Sequence, residues 1–337
     1  MKDFRLKTQL CFRLDTLSRM DYKKVLLVTD AFFVQNGTAE KIRQLCKNAQ
    51  LFVFDKVQPD PPLTLVADGV AILTSFLPEV IIALGGGSAI DCAKGILAMS
   101  ESNARLIAIP TTSGTGSEVT SFAILTHNGI KHPLVEDRLR PDMAILDASL
   151  LEKLPKSLIA DSGMDAVAHC LEALAATSAS PFSDALASHA LRLLVQKLPA
   201  SFEGDAAVRE EIHCASTMAG IAFDHAGLGI CHSLSHALGG QFHLPHGKLN
   251  AILLPSVIRF NGVQHYQRFT LQVLLTVERL RRALTLPESL HAAGLQRNDV
   301  LQHLDAICDA ALCDPCTKTN PRSVKIDDLK RIVREVL

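Results

Sequence analysis

The sequence has no charge excess of either sign, with 34 Lys+Arg against 35 Asp+Glu over 337 residues. A protein that neutralises a phosphate backbone or docks on an anionic surface needs clustered cations, and this chain has no Lys/Arg run, so nucleic acid and membrane partners are excluded. Long apolar stretches are missing too. Val80–Leu84 and Ala251–Leu254 fall far short of the roughly 18 residues that span a bilayer. From the opening Met1-Lys2-Asp3-Phe4-Arg5 charge persists through the first dozen residues, which does not look like a signal peptide, so the expected location is the cytoplasm. Nine cysteines, an odd number scattered through apolar segments, supply no disulfide framework, and Cys313-Asp314-Pro315-Cys316 lacks the second pair that a zinc knot needs. Internal repeats and low-complexity segments are absent as well.

What is present is apolar and patterned. Hydrophobic residues make up 48% of the chain and the mean hydropathy is +0.21, which predicts an extensive core and a buried subunit interface in a homo-oligomer. Over residues 1–150, short strand-like runs alternate with helical stretches. The first is an alternation of Phe4, Leu6, Thr8, Leu10 and Phe12 on one strand face. Val25–Val28, Leu51–Phe54, Val80–Leu84, Leu106–Ile109 and Met143–Leu146 follow. Continuous apolar strands separated by helices imply a parallel sheet covered on both faces. Over residues 151–337 the strands give way to Ala/Leu-rich helices. The predicted architecture is an α/β N-terminal dinucleotide-binding domain (1–150) plus an all-α C-terminal metal- and substrate-binding domain (151–337), with ligands in a cleft between them.

Two glycine- and hydroxyl-rich loops carry the first chemical signal. Gly85-Gly86-Gly87-Ser88 follows the strand Val80–Leu84 and opens a helix, so bare backbone N–H groups and the positive end of the helix dipole suit a pyrophosphate. A tight packing turn is the competing reading. Pro110 to Thr120 follows the next strand, and its hydroxyls can hold phosphate or ribose, or simply make a Ser/Thr turn. Asp30 ends the strand before it. A carboxylate there accepts from ribose hydroxyls and repels a 2′-phosphate, favouring NAD over NADP, although an N-cap needs the same residue type.

Histidine supplies the second signal, since five of the thirteen fall within residues 225–246: His225, His232, His236, His243 and His246. His232 and His236 stand i, i+4 on a helix expected to end at Gly239-Gly240, and His246 opens the next helix. Upstream, Asp165 and His169 stand i, i+4 within an apolar helical stretch. A carboxylate there needs a cation or strong donors to offset desolvation, and one Asp with several His suits Fe(II) or Zn(II). Spacing alone does not choose among the five histidines.

Together these segments resemble the iron-containing (group III) alcohol dehydrogenase family. The resemblance runs through Gln58–Pro61, Gly85–Lys94, Ile109–Thr120, Arg140–Asp147, Gly163–Ala173 and Gly229–Asn261, covering about residues 20 to 265. Gly239–Gly247 and Thr319-Asn320-Pro321-Arg322 look most like the propanol dehydrogenases of bacterial microcompartments. The resemblance implies Asp165, His169, His232 and His246 as ligands of one divalent metal, iron first and zinc as the alternative, with His236 in proton relay. It also implies Asp30, Gly86, Gly87, Ser88, Asp91, Thr111, Thr112, Thr120 and Lys131 as contacts to NAD. The expected reaction interconverts a small primary alcohol and its aldehyde, with the metal as Lewis acid toward the substrate oxygen. Expected partners are copies of the chain itself and microcompartment components.

Two rivals share the architecture or the site: a glycerol dehydrogenase-like polyol oxidoreductase, and a catalytically weak, metal-stabilised binding subunit of a larger complex. Two departures from the family pattern accompany the resemblance. Phe12-Arg13-Leu14-Asp15 stands where a glycine turn is usual, and the helical half is several tens of residues shorter after about Phe269.

Overall fold

The structure is a computed structural model describing residues 3–127 and 130–337. The chain divides into two compact units. One comprises Arg5–Thr112 and Gly116–Lys153; the other comprises Leu154–Leu337 with the segment ending at Phe4 and the short stretch Ser113–Thr115.

The first unit is built on β1 (Gln9–Cys11), β2 (Lys24–Val28), β3 (Gln50–Phe54), β4 (Val80–Gly85), β5 (Arg105–Pro110), β6 (Phe122–His127), β7 (Ile130–Val135) and β8 (Met143–Ile145). Its helices are α1 (Ala31–Gln35), α2 (Thr38–Leu45), α3 (Leu63–Phe76) and α4 (Gly87–Ala98). Six strands form one parallel sheet in the order β1-β8-β5-β4-β2-β3. Successive side chains of a strand point to opposite faces, and the apolar runs serve both. Leu26, Val28, Ile81 and Ala83 pack into one core layer with Leu65, Val66 and Ile90, from α3 and α4. Val25, Leu27, Val80 and Ile82 pack into the other with Leu14, Leu17 and, from α2, Ile42.

The chain leaves β2 toward β3 and returns on the other side of β2 as β4. That reversal is a topological switch point, where open α/β sheets leave a crevice at the carboxyl ends of their strands. It places Asp30, Gly86–Ser88 and Thr111–Thr112 at the ends of three adjacent strands, β2, β4 and β5.

Two features of this unit differ from the sequence reading. The alternation Phe4 to Phe12 yields only the three-residue edge strand β1, with Leu6, Leu10 and Phe12 exposed. A strand paired on one side buries little, so alternation there does not mark a core face. Second, the stretch between Ile109 and Met143 contains an antiparallel hairpin, β6 with β7. Its alternately buried Ala123 and Leu125 show the period-2 pattern of a strand with one covered face.

The second unit contains α5 (Lys156–Ala175), α6 (Pro181–Phe202), α7 (Arg209–Ala226), α8 (Ile230–Phe242) and α9 (His246–Asn261). Beyond them lie α10 (Val273–Ala283), α11 (Arg297–Gln302), α12 (Leu304–Cys313) and α13 (Ile326–Glu335). Helix α5 packs against α6, α7, α8 and α9 and is buried from Met164 to Ala175. A helix surrounded on all sides must be largely apolar or small all round, as the Ala-rich run 166–175 is apart from His169 and Glu172. Polar residues placed in it, Asp165, His169 and Glu172, are therefore removed from water. Helix α8 passes through Gly239-Gly240 and ends at His243, which takes the left-handed conformation at φ 55° instead of leaving it to a glycine. Among the described residues no helix is long and apolar enough to cross a membrane.

Candidate metal centre and cofactor loops

Asp165 and His169 lie one turn apart on α5, so both side chains leave the same face. His232 stands in the first turn of α8 and His246 is the first residue of α9. The start of α9 comes close to α5 because residue 247 is glycine: a Cβ there would lie 1.8 Å from the Asp161 carbonyl oxygen. Any side chain at 247 would push His246 away from Asp165.

The four groups meet at one carboxylate oxygen. Asp165 Oδ1 lies 3.6 Å from His232 Nε2, 3.6 Å from His246 Nε2 and 3.9 Å from His169 Nε2. Donor atoms of Asp165, His232 and His246 all fall within 4.8 Å of one another, and the His169 ring stacks on that of His232 with centroids 4.5 Å apart. The far ring nitrogens of two of these histidines are occupied. His169 Nδ1 is 3.1 Å from the Gly114 carbonyl oxygen, and His232 Nδ1 is 2.6 Å from Glu172 Oε2. With Nδ1 donating, Nε2 is in each ring the nitrogen left on the Asp165 side, able to hold a proton or an ion there.

Electrostatics agree with a cation site. Burial alone would raise the Asp165 carboxyl, yet the imidazoles of His169, His246 and His232 hold it well below the usual range. Burial pushes His169 down to about 4, leaving it neutral despite Asp165. Burial also acts to lower His232, but hydrogen bonds and charge from Asp165 and Glu172 outweigh it and raise the ring to about 9. Two buried carboxylates thus flank one imidazole, so the cluster is anionic unless a proton or metal ion joins it. One carboxylate and three imidazole nitrogens around a common point fit a divalent ion of the Fe(II) or Zn(II) kind.

His236, one turn beyond His232, stacks on His246 with centroids 5.0 Å apart. Its Nδ1 is 2.9 Å from Asp314 Oδ2, while Asp314 Oδ1 accepts from the Cys316 N–H at 2.8 Å. His236, Asp314 and Cys316 come close enough to suggest a second metal group, but these hydrogen bonds already employ one imidazole nitrogen and both carboxylate oxygens. They describe an oriented histidine. The other two histidines of the cluster stand apart: His225 stacks on Phe4, and His243 is the exposed end of α8.

All nine residues expected to contact NAD lie in the α/β unit. Gly86, Gly87 and Ser88 are half-buried at the start of α4, and a Cβ on Gly86 would come 3.4 Å from Thr112 Oγ1, so these two loops touch. Thr111 is buried and its N–H donates to the Gly85 carbonyl, leaving Thr112 the more open hydroxyl. Asp30 caps α1, accepting from the Phe32 N–H at 2.9 Å through one oxygen. Three of the nine are engaged in internal bracing. Asp91, raised by burial, accepts from Ser117 Oγ at 2.6 Å and from the Ile124 N–H at 3.1 Å. Thr120 is buried against Lys94, and Lys131 pairs with Asp60 at 2.6 Å.

Residues missed from sequence are the outer partners. Buried Lys94 donates to the carbonyls of Thr120 at 2.8 Å and Phe122 at 2.6 Å, tying the loop after β5 to α4. Asn250 Nδ2 is 2.8 Å from Asp165 Oδ1. Glu172 falls three residues after His169 and Asn250 four after His246, so helical spacing from the chosen ligands could have found both.

Residues 12–148 match the iron-containing alcohol dehydrogenase family, and residues 159–337 match the C-terminal part of the Fe-containing alcohol dehydrogenase family. The chain belongs to the iron-containing alcohol dehydrogenases. Among relatives of this family, it is 39% identical to the 1-propanol dehydrogenase of Citrobacter freundii, covering 100% of both chains. It is also 39% identical to the bifunctional aldehyde-alcohol dehydrogenase of Escherichia coli (strain K12), over 95% of this chain but only 44% of that longer protein. The chain therefore spans less than half the length of the bifunctional relative. A solved 1,3-propanediol oxidoreductase superposes with a TM-score of 0.92 at 30% identity, covering 100% of both chains. The α/β sheet followed by a helical domain is thus the architecture of this family.

Proposed function

We propose that this iron-containing alcohol dehydrogenase interconverts a small primary alcohol and its aldehyde, using NAD and one divalent metal ion. The observation that carries the reading is the convergence of one buried carboxylate and three imidazoles on Asp165 Oδ1, in a chain of this family. Asp165, His169, His232 and His246 would hold the metal, Fe(II) first and Zn(II) as the alternative. When bound, the metal supplies Lewis acidity toward the alcohol oxygen, lowering the cost of removing its proton.

The remaining work falls to the chain. His236, held by Asp314, accepts or returns the hydroxyl proton. Gly86, Gly87, Ser88 and Thr112 receive the pyrophosphate at the start of α4, and Asp30 takes the adenosine ribose at the end of β2. Asp91, Thr120 and Lys131 hold the shape of that loop system. The α/β unit serves as the cofactor domain and the helical unit as the metal domain. Resemblance to 1-propanol dehydrogenase supports a three-carbon alcohol and a place within or beside a microcompartment, and the high mean hydropathy supports assembly with copies of itself.

The test is elemental analysis of anaerobically purified protein, with NADH oxidation followed on acetaldehyde, propanal and longer aldehydes. Stoichiometric metal and aldehyde-dependent NADH loss are expected, and His246→Ala should lose both. Full turnover by metal-free protein would defeat the proposal.

A further inference from the structure

We infer that Glu172 is a positioning residue of the metal centre, fixing the tautomer, rotation and basicity of His232 and so setting how tightly the ion is held. The inference rests on the metal site proposed above and assigns to it a residue outside the ligand set.

Glu172 is 2% exposed on α5, two turns beyond Asp165 and on the same face. A carboxylate so placed needs strong donors to offset the loss of water around it. It finds them at the start of α8. Oε2 accepts from His232 Nδ1 at 2.6 Å, and Oε1 accepts from the Cys231 N–H at 2.8 Å. The second bond uses one of the backbone donors that a helix start leaves free, so the same carboxylate locks both the first turn of α8 and the ring that projects from it.

Three consequences follow for His232. When the ring carries a single proton, Glu172 holds it on Nδ1, so Nε2 is the nitrogen left to bind an ion on the side of Asp165. Its ring cannot rotate without breaking a short charged hydrogen bond. Negative charge behind the ring makes Nε2 the stronger donor, the effect of a carboxylate–histidine–metal arrangement. His169 differs, because its Nδ1 meets only the neutral carbonyl of Gly114. Residue 229 is consistent with the same requirement: its backbone is extended, yet a Cβ there would lie 2.7 Å from Glu172 Oε1 and 2.8 Å from Asn320 Oδ1. Glycine leaves the carboxylate room to reach α8.

The experiment uses the full chain, anaerobic and metal-free, titrated with Co(II) against a competing chelator, with the visible cobalt absorption recorded. Glu172→Gln preserves size and removes charge. It should bind Co(II) about 10- to 100-fold more weakly than the parent and shift the cobalt band. Gly229→Ala, which keeps the charge but crowds the carboxylate, should weaken binding several-fold in the same direction. Equal affinity and an unchanged band in Glu172→Gln would overturn the inference while leaving the metal site intact. Failure of the parent to bind Co(II) would overturn the metal reading and this inference with it. Should both variants fail to fold, long-range 15N–1H correlation on the zinc-loaded parent decides: a proton on Nδ1 of His232 supports the assignment, and a proton on Nε2 refutes it.

Discussion

The side-chain amide of Asn250 presents Nδ2 to Asp165 Oδ1 at 2.8 Å, and the same nitrogen lies 3.2 Å from Nε2 of both His232 and His246. Ser235 Oγ donates to Asn250 Oδ1 at 2.5 Å, which fixes the amide's orientation. An amide nitrogen has two hydrogens and no lone pair to offer, so its bond to Asp165 is a donation that steadies the carboxylate. Asn250→Ala would leave the buried Ser235 hydroxyl without this acceptor and take one hydrogen-bond donor away from Asp165. The metal-free chain should lose about 1–3 kcal/mol, read by urea unfolding. A variant as stable as the parent would mean that other groups hold Asp165.

Asp161, one turn before Asp165 on α5, gives a pH-dependent stability. Burial raises its carboxyl from 3.8 to about 6; the Lys248 ammonium 3.8 Å away offsets part of that effect, and Asp165 adds to it. The folded chain therefore holds this proton more tightly than the unfolded chain. Ionised Asp161 costs stability in full above about pH 6, less between 6 and 3.8, and nothing below. Asp161→Asn should accordingly stabilise the metal-free chain by on the order of 2 kcal/mol at pH 7.5. The gain should shrink at pH 5; an equal gain at both pH values would assign it to something other than ionisation.

These two carboxylates show what sequence could and could not reveal. The parallel sheet was legible because its strands are continuous apolar runs buried on both faces. The first strand was overread, since Leu6, Leu10 and Phe12 alternate but remain exposed at an edge. Asp165 with His169, and His232 with His236, were visible as i, i+4 pairs inside apolar helices. Spacing could not select among five histidines, because residues 225–246 place them on different helix faces and ends; family resemblance made that selection. Asp314 gave no local signal at all. It lies 78 residues from His236, and only the return of the chain after α12 brings them together.

Asp30 offers a prediction separable from folding. As N-cap of α1 it accepts from the Phe32 N–H, and replacing such a cap by glycine costs only a few tenths of a kcal/mol. Asp30→Gly should therefore melt close to the parent temperature. Its ratio of NADP to NAD use should rise, because a carboxylate that repels a 2′-phosphate has gone. An unchanged ratio at unchanged stability would reduce Asp30 to its capping bond.

Asp314 and His236 form a pair that acts as a unit or not at all. Burial would raise the Asp314 carboxyl, but the hydrogen bond and charge of His236, with the Cys316 N–H, hold it below the usual range. Asp314 remains an anion bonded to Nδ1 of His236, leaving Nε2 as the nitrogen that can exchange a proton. Asp314→Asn keeps the side chain's shape while weakening control over the tautomer, and should lower kcat by about tenfold with metal content unchanged. His236→Gln removes the exchanging nitrogen and should cost on the order of 100-fold or more. Because the carboxylate acts only through the imidazole, the double variant should be no slower than His236→Gln alone. Multiplicative losses would show that Asp314 contributes independently, and loss of metal in Asp314→Asn would place it in the ion's support instead.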